Sequence, residues 1–189
     1  MKTIYKLCFV ALSLLVFTAC KTDGKESKTN STSTSTEKDK SGQAFIKDDG
    51  STPNILQIAI GSKDHTTLVA AVQAAELENA LVNAGPLMVF APTNEAFDAL
   101  PEGTVENLLK PENKNVLADI LKYHVTPGNY SKDFLKNFKR IGQANNGYVK
   151  IEVKNGEPII GGAKIIASIK AGNGIIHVID KVLLPPSKE

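Results

Sequence analysis

The side chains able to do covalent or metal chemistry are few: two cysteines, Cys8 and Cys20, three histidines, His65, His124 and His177, and scattered serines. Imidazole and thiolate are the usual zinc ligands, but both cysteines lie in the first twenty residues and the histidines are spaced far more widely than a zinc signature. Beyond Cys20 there is no thiol, so disulfides, cysteine ligands and a cysteine nucleophile are excluded from the body of the chain. Ser62, Ser131, Ser168 and Ser187 lack the Gly-x-Ser-x-Gly setting that exposes a hydrolase nucleophile after a strand. Gly172-Asn173-Gly174 lacks the third glycine of a dinucleotide fingerprint and precedes a strand instead of a helix. No metal, cofactor or catalytic residue is expected, and the chain reads as non-enzymatic.

The chain is 189 residues long and 42% hydrophobic, one domain's worth of globular composition. Lys and Arg number 22 against 20 Asp and Glu, and the excess is Lys2 and Lys6. Without the first 19 residues the chain is neutral, which argues against nucleic acid as its partner.

Lys2 and Lys6 precede an apolar run from Leu7 to Phe17 and then Thr18-Ala19-Cys20, the pattern of a secretory signal peptide. The run is shorter than the ~18 apolar residues a membrane span requires. Small residues directly before Cys20 resemble the bacterial lipoprotein cleavage box, with Phe17 where Leu is usual. The resemblance implies cleavage between Ala19 and Cys20 and acyl chains on Cys20, two or three of which anchor a protein effectively for good. An ordinary secreted protein with an incidental cysteine is the alternative. From Lys21 to Ser51 the sequence is rich in Ser, Thr, Lys, Asp and Glu. It cannot bury enough surface to offset its ordering entropy and reads as a tether reaching roughly 30 Å. The expected organisation is a signal peptide over 1–19, lipidated Cys20 and tether over 20–51, one domain over 52–186 and a tail over 187–189.

Thr52-Pro53 reads as the cap and first turn of a helix with Ile55, Leu56, Ala59 and Ile60 on one face. Asp64 is the expected cap of a second helical stretch, whose apolar phase slips near Ala75 and so marks two short helices. Leu87–Ala91 is a short strand, and Pro92-Thr93-Asn94 turns it into a helix carrying Ala96, Phe97 and Leu100. Helices follow over about 105–110 and 113–122, and Ser131 caps a short one with Phe134 and Leu135. Past Arg140 the apolar period changes from 3.6 to 2, and Asn155-Gly156 marks a type I′ hairpin. The last strand, Ile175–Ile179 continued by Val182–Leu184, is apolar on both faces and should be covered on both. Helices first and strands later make an α+β domain.

Val89–Phe97, Tyr123-His124-Val125 and Asn173–Leu183 resemble, in order and separation, the first signature box, the central Tyr-His motif and the second signature box of the fasciclin-like domain family. Thr67-Leu68 and Gly85-Pro86 fit the stretch before the first box, so the resemblance covers residues 53–185. It implies a wedge in which a β-sandwich is flanked by several short helices, in extracellular, cell-surface or lipid-anchored proteins that mediate adhesion or matrix contact without catalysis. It also makes Tyr123 and His124 a candidate binding surface. Integrin-type recognition in the family is linked to an Asp-Ile pair before the second box, where this chain has Ser168-Ile169.

Read as residues, the same positions have folding roles. Pro92 ends the strand, Thr93 or Asn94 accepts from the next helix, Phe97 returns an aromatic to the core, and Asn173-Gly174 makes a tight connection. His124 and His177 sit on apolar faces and read as buried neutral imidazoles with satisfied hydrogen bonds. The expected function is a lipid-anchored binding module of the cell envelope, at the outer membrane, contacting matrix, polysaccharide or protein surfaces. The alternative is a carrier of a small apolar ligand in a cleft of the domain. A closed cavity of about 300 Å³ or more favours the carrier, and an exposed apolar patch favours the contact module.

Overall fold

The computed structural model describes residues 52–83 and 85–186. The signal peptide, Cys20 with its cleavage partner Ala19, the tether to residue 51 and the tail 187–189 lie outside the described residues.

Helix α1 (Ile55–Gly61) starts at Asn54, whose side chain accepts from Gln57 N–H while the Gln57 side chain accepts from Asn54 N–H, a reciprocal cap. The start lies later than Thr52-Pro53 because the Pro53 carbonyl is engaged elsewhere, accepting from Gly172 N–H. Ser62 and not Asp64 caps the 3₁₀ turn Lys63–His65 that leads into α2 (Thr66–Ala74). The phase slip near Ala75 is a real break: Glu76 adopts φ 55° and α3 (Glu78–Asn83) follows.

Strand β1 (Leu87–Pro92) runs into α4 (Asn94–Asp98), then α5 (Thr104–Leu108) and α6 (Lys114–Tyr123). Beyond them come β2 (Val125–Pro127), α7 (Lys132–Leu135) capped by Ser131, β3 (Arg140–Gly142), β4 (Tyr148–Lys154), β5 (Glu157–Ile160), β6 (Ala163–Ala171) and β7 (Gly174–Ile179). The sheet order is β2-β1-β7-β6-β5-β4-β3. β3 to β7 form an antiparallel meander, β7 lies parallel to β1, and β2 pairs antiparallel with β1. Asn155 and Gly156, at φ 53° and 78°, make the expected type I′ turn between β4 and β5.

A bulge between Ile165 and Ala167 increases the twist of β6. The sheet curls until its two ends meet: Ala144 N–H donates to the Val125 carbonyl at 2.7 Å, and the Thr126 hydroxyl donates to Gln143 Oε1 at 3.0 Å. The result is a nearly closed barrel with helices outside it, an α+β fold as the order of elements predicts.

β1 and β7 are buried on both faces. One face, with Val89, Ala91, Ile176 and Val178, packs against α1, α2 and α6 through Leu56, Val72 and Leu121. The other, with Met88, Phe90, Ile175 and Ile179, packs inside the curl against Val149, Ile151, Ile160 and Ile165. Burial of this kind stabilises by about 25 cal/mol per Å² of apolar surface and needs no disulfide. Gly174 is compelled by packing, because a Cβ there would overlap the Leu87 carbonyl across the parallel pair. The expected continuation of the last strand over Val182–Leu184 makes no ladder pairs; the Leu183 N–H is taken by His124 instead.

Candidate functional site

His177 comes from the centre of β7, with its ring on the inner face of the curl and no exposed surface. The Ser168 hydroxyl, opposite it on β6, lies 2.8 Å from Nδ1, and Nε2 lies 2.9 Å from the Tyr130 carbonyl. A carbonyl can only accept, so Nε2 carries the proton and Nδ1 accepts from Ser168. Burial lowers the His177 pKa; the Tyr130 carbonyl opposes this, and the nearby Lys132 charge adds to it. Phe90 stacks on the ring at 5.9 Å. Ser168, in place of the Asp of the integrin-linked pair, spends its hydroxyl inward on this histidine.

Tyr123 and His124, expected as a candidate binding surface, are inside the domain, 5% and 3% exposed. The reason is their position where α6 turns into β2, with the helix packed on the sheet. His124 Nδ1 donates to the Ile120 carbonyl at 2.8 Å, and Nε2 accepts from Leu183 N–H at 2.9 Å. Desolvation drives its pKa down to about 4, against a smaller opposing pull from the Ile120 carbonyl. The Tyr123 hydroxyl donates to the Tyr148 carbonyl at 2.9 Å, and burial raises its pKa. His65 is buried too, with Nδ1 2.8 Å from Ser62 Oγ; its Nε2 makes no hydrogen bond among the described residues. Desolvation lowers its pKa, opposed by the Asp64 charge.

The other signature residues are braces. Thr93 caps α4 through Ala96 N–H, and Phe97 packs on the helix-side core. Asn94 reaches back to α2, accepting from Thr67 N–H at 3.1 Å and from the Thr66 hydroxyl, while donating to the Lys63 carbonyl. Asn173 joins three elements: it accepts from Ile55 N–H at 2.9 Å and donates to the Leu81 carbonyl at 2.7 Å beside the start of β7. Among the described residues no three His, Cys, Asp or Glu side chains are grouped to hold a metal ion.

Two of these buried hydrogen bonds end on the backbone of one surface feature. Tyr123 holds the Tyr148 carbonyl and His177 holds the Tyr130 carbonyl, and both tyrosines line an open groove of about 400 Å³ with Thr126, Pro127, Gln143 and Asn146. Phe134 and Phe138 extend the Tyr130 side, with ring centroids 5.4–5.8 Å apart in stacked and edge contacts. Arg140 lies over the Tyr148 ring, 4.7 Å from its centroid. Tyr148 is 58% exposed and Phe134 48%. Large aromatics left at a surface beside amides and a guanidinium are suited to stacking and hydrogen bonding with a partner. Sequence reasoning missed this groove, although Tyr130, Phe134 and Phe138 recur at a spacing of four.

The fasciclin domain model matches residues 63–185. The chain belongs to the fasciclin domain family. This fasciclin domain is 48% identical over 133 residues to protein sll1483 of Synechocystis sp., covering 70% of the chain and 73% of that protein. It is 41% identical over 132 residues to protein sll1735 of the same organism, covering 70% and 98%. Transforming growth factor-beta-induced protein ig-h3 of Sus scrofa is 35% identical over 152 residues, 78% of this chain but 22% of that longer protein. A FAS1 domain pair from the insect cell adhesion molecule Fasciclin I superposes with a TM-score of 0.47 at 23% identity, over 60% of this chain and 42% of that one.

Proposed function

We propose that this fasciclin domain is a non-catalytic adhesion module of the cell envelope, held at the outer membrane by acyl chains on Cys20, and that it contacts its partner through the Tyr130–Tyr148 groove. The observation that carries the reading is the exposed aromatic groove itself, about 400 Å³ and fixed from below by Tyr123 and His177. Membership of the family supports a contact role. His124 has both ring nitrogens committed to backbone partners, the Ile120 carbonyl and the Leu183 N–H, which leaves it no free nitrogen for proton transfer.

Partners of the classes expected from the family, matrix proteins and polysaccharides, suit a rim of tyrosine, amide and arginine. The test is retention of the purified protein on surfaces coated with matrix proteins or envelope polysaccharides. Wild type is expected to be retained on one class and Phe134→Ala at least tenfold less, as for an interfacial aromatic anchor; equal retention of both proteins would remove the Phe134 side of the groove from the contact. The anchor is tested separately. Cys20→Ala should leave the membrane fraction for the soluble one, and a variant still in the membrane would refute acylation.

A further inference from the structure

On the side of the domain away from the barrel interior, α1, α2 and α3 do not close fully over β1, and a cavity of about 220 Å³ remains, partly open and below the roughly 300 Å³ closed cavity expected of a carrier, so it suits only a small occupant. Its walls are Leu56, Leu68, Val72, Leu81, Val89 and Leu121, almost wholly hydrocarbon. Small side chains keep it open: Ala59 and Ala91 in the wall, and the exposed Ala80 and Ala144 where it meets solvent. His124 also borders it, but both its nitrogens are taken by Ile120 and Leu183, so it offers an occupant no hydrogen bond. The one charged residue bordering the space is Lys122, exposed on α6 and in no ion pair among the described residues.

These features select an occupant. A polar body would lose its water hydrogen bonds with nothing to replace them, so the body must be apolar. An engineered dry cavity of ~150 Å³ takes up benzene, so this one has room for roughly eight or nine carbons, well below the drug-sized range. With one lysine and no acid among the residues that line it, the cavity favours a negative head left in water, with the lysine stem along the apolar wall. From this cavity and its lysine we infer a second site, independent of the aromatic groove, that binds a small monoanionic amphiphile: a free medium-chain carboxylic acid with its tail among α1, α2 and β1 and its carboxylate beside Lys122.

The test uses isothermal titration of the purified protein with three eight-carbon probes: octanoate, octanol and octylammonium. Octanoate should bind with one-to-one stoichiometry, ahead of octanol and well ahead of octylammonium. Lys122→Gln, an exposed change that leaves the core intact, should weaken octanoate two- to fivefold and leave octanol unchanged, the range of an exposed ion pair. Ala59→Leu, which fills the cavity, should weaken both at least tenfold. Should the filled variant fail to fold, Val116→Ala, exposed on the same helix as Lys122 but outside the cavity, serves as a control that must bind like wild type. No binding of octanoate at millimolar concentration would overturn the site, and so would equal binding of octanoate and octylammonium. Retention on matrix or polysaccharide surfaces reads the other site, so either reading can fail alone.

Discussion

At the scale of single residues, the polar side chains of the signature motifs act by what they hold in place. His124 is neutral because its cavity desolvates a charge, and its two hydrogen bonds demand one proton on Nδ1 and none on Nε2. Protonation would place a second donor against the Leu183 N–H. The folded pKa of about 4 lies below the ordinary value of 6.5, so between these limits the unfolded chain binds more protons and stability falls with falling pH. The contribution is complete above about pH 6.5 and is lost progressively toward pH 4, in all about 3 kcal/mol for this residue. His65 and His177, both lowered by burial, act in the same direction. Urea unfolding measured at pH 7.5 and 4.5 should show the fall, and His124→Gln should be less stable at pH 7.5 yet lose less on acidification. An unchanged pH slope in that variant would mean that His124 does not titrate with folding.

At the scale of elements, short helices are held by side chains that arrive from elsewhere in the chain. Asn94 belongs to α4 but satisfies the first turn of α2, so Asn94→Ala should destabilise by about 1–2 kcal/mol, read as a lower urea midpoint with unchanged m-value. A loss below 0.3 kcal/mol would mean that water replaces the amide there. Elements with strong local patterns were legible in the sequence: the break near Ala75, the Ser131 cap, the Asn155-Gly156 turn and the two-sided burial of β7. Those set by distant partners were not. β2 and β3, three residues each, are too short to show a period, and their pairing depends on the curl of the whole sheet. The start of α1 moved to Asn54 because Gly172 claims the Pro53 carbonyl. The aromatic groove was hidden for a related reason: a spacing of four reads as a buried helical stripe, but α7 lasts one turn, so Phe134 stays at the surface. His124 and His177 could be read as buried neutral imidazoles from their apolar faces, as they are; for Tyr123, placed at the helix-to-strand junction, the packing of α6 on the sheet decided that it faces inward.

At the scale of the whole molecule, a thiol-free domain uses two cores, one on each side of β1 and β7, and presents its aromatic groove where β2, β3 and the segment around α7 come together. Buried Tyr123 and His177 tie that groove to the interior. A surface built this way presents its rings in fixed positions, which reduces the ordering cost of contact. Tyr148 is the most exposed ring of the groove and the residue whose backbone Tyr123 holds. The decisive measurement is the retention of Tyr148→Ala on the surface that retains wild type, with both melting temperatures recorded. At least a tenfold loss of retention with a melting temperature within 2 °C of wild type is expected; undiminished retention by a folded Tyr148→Ala protein would contradict the claim that this groove is where the domain makes its contact.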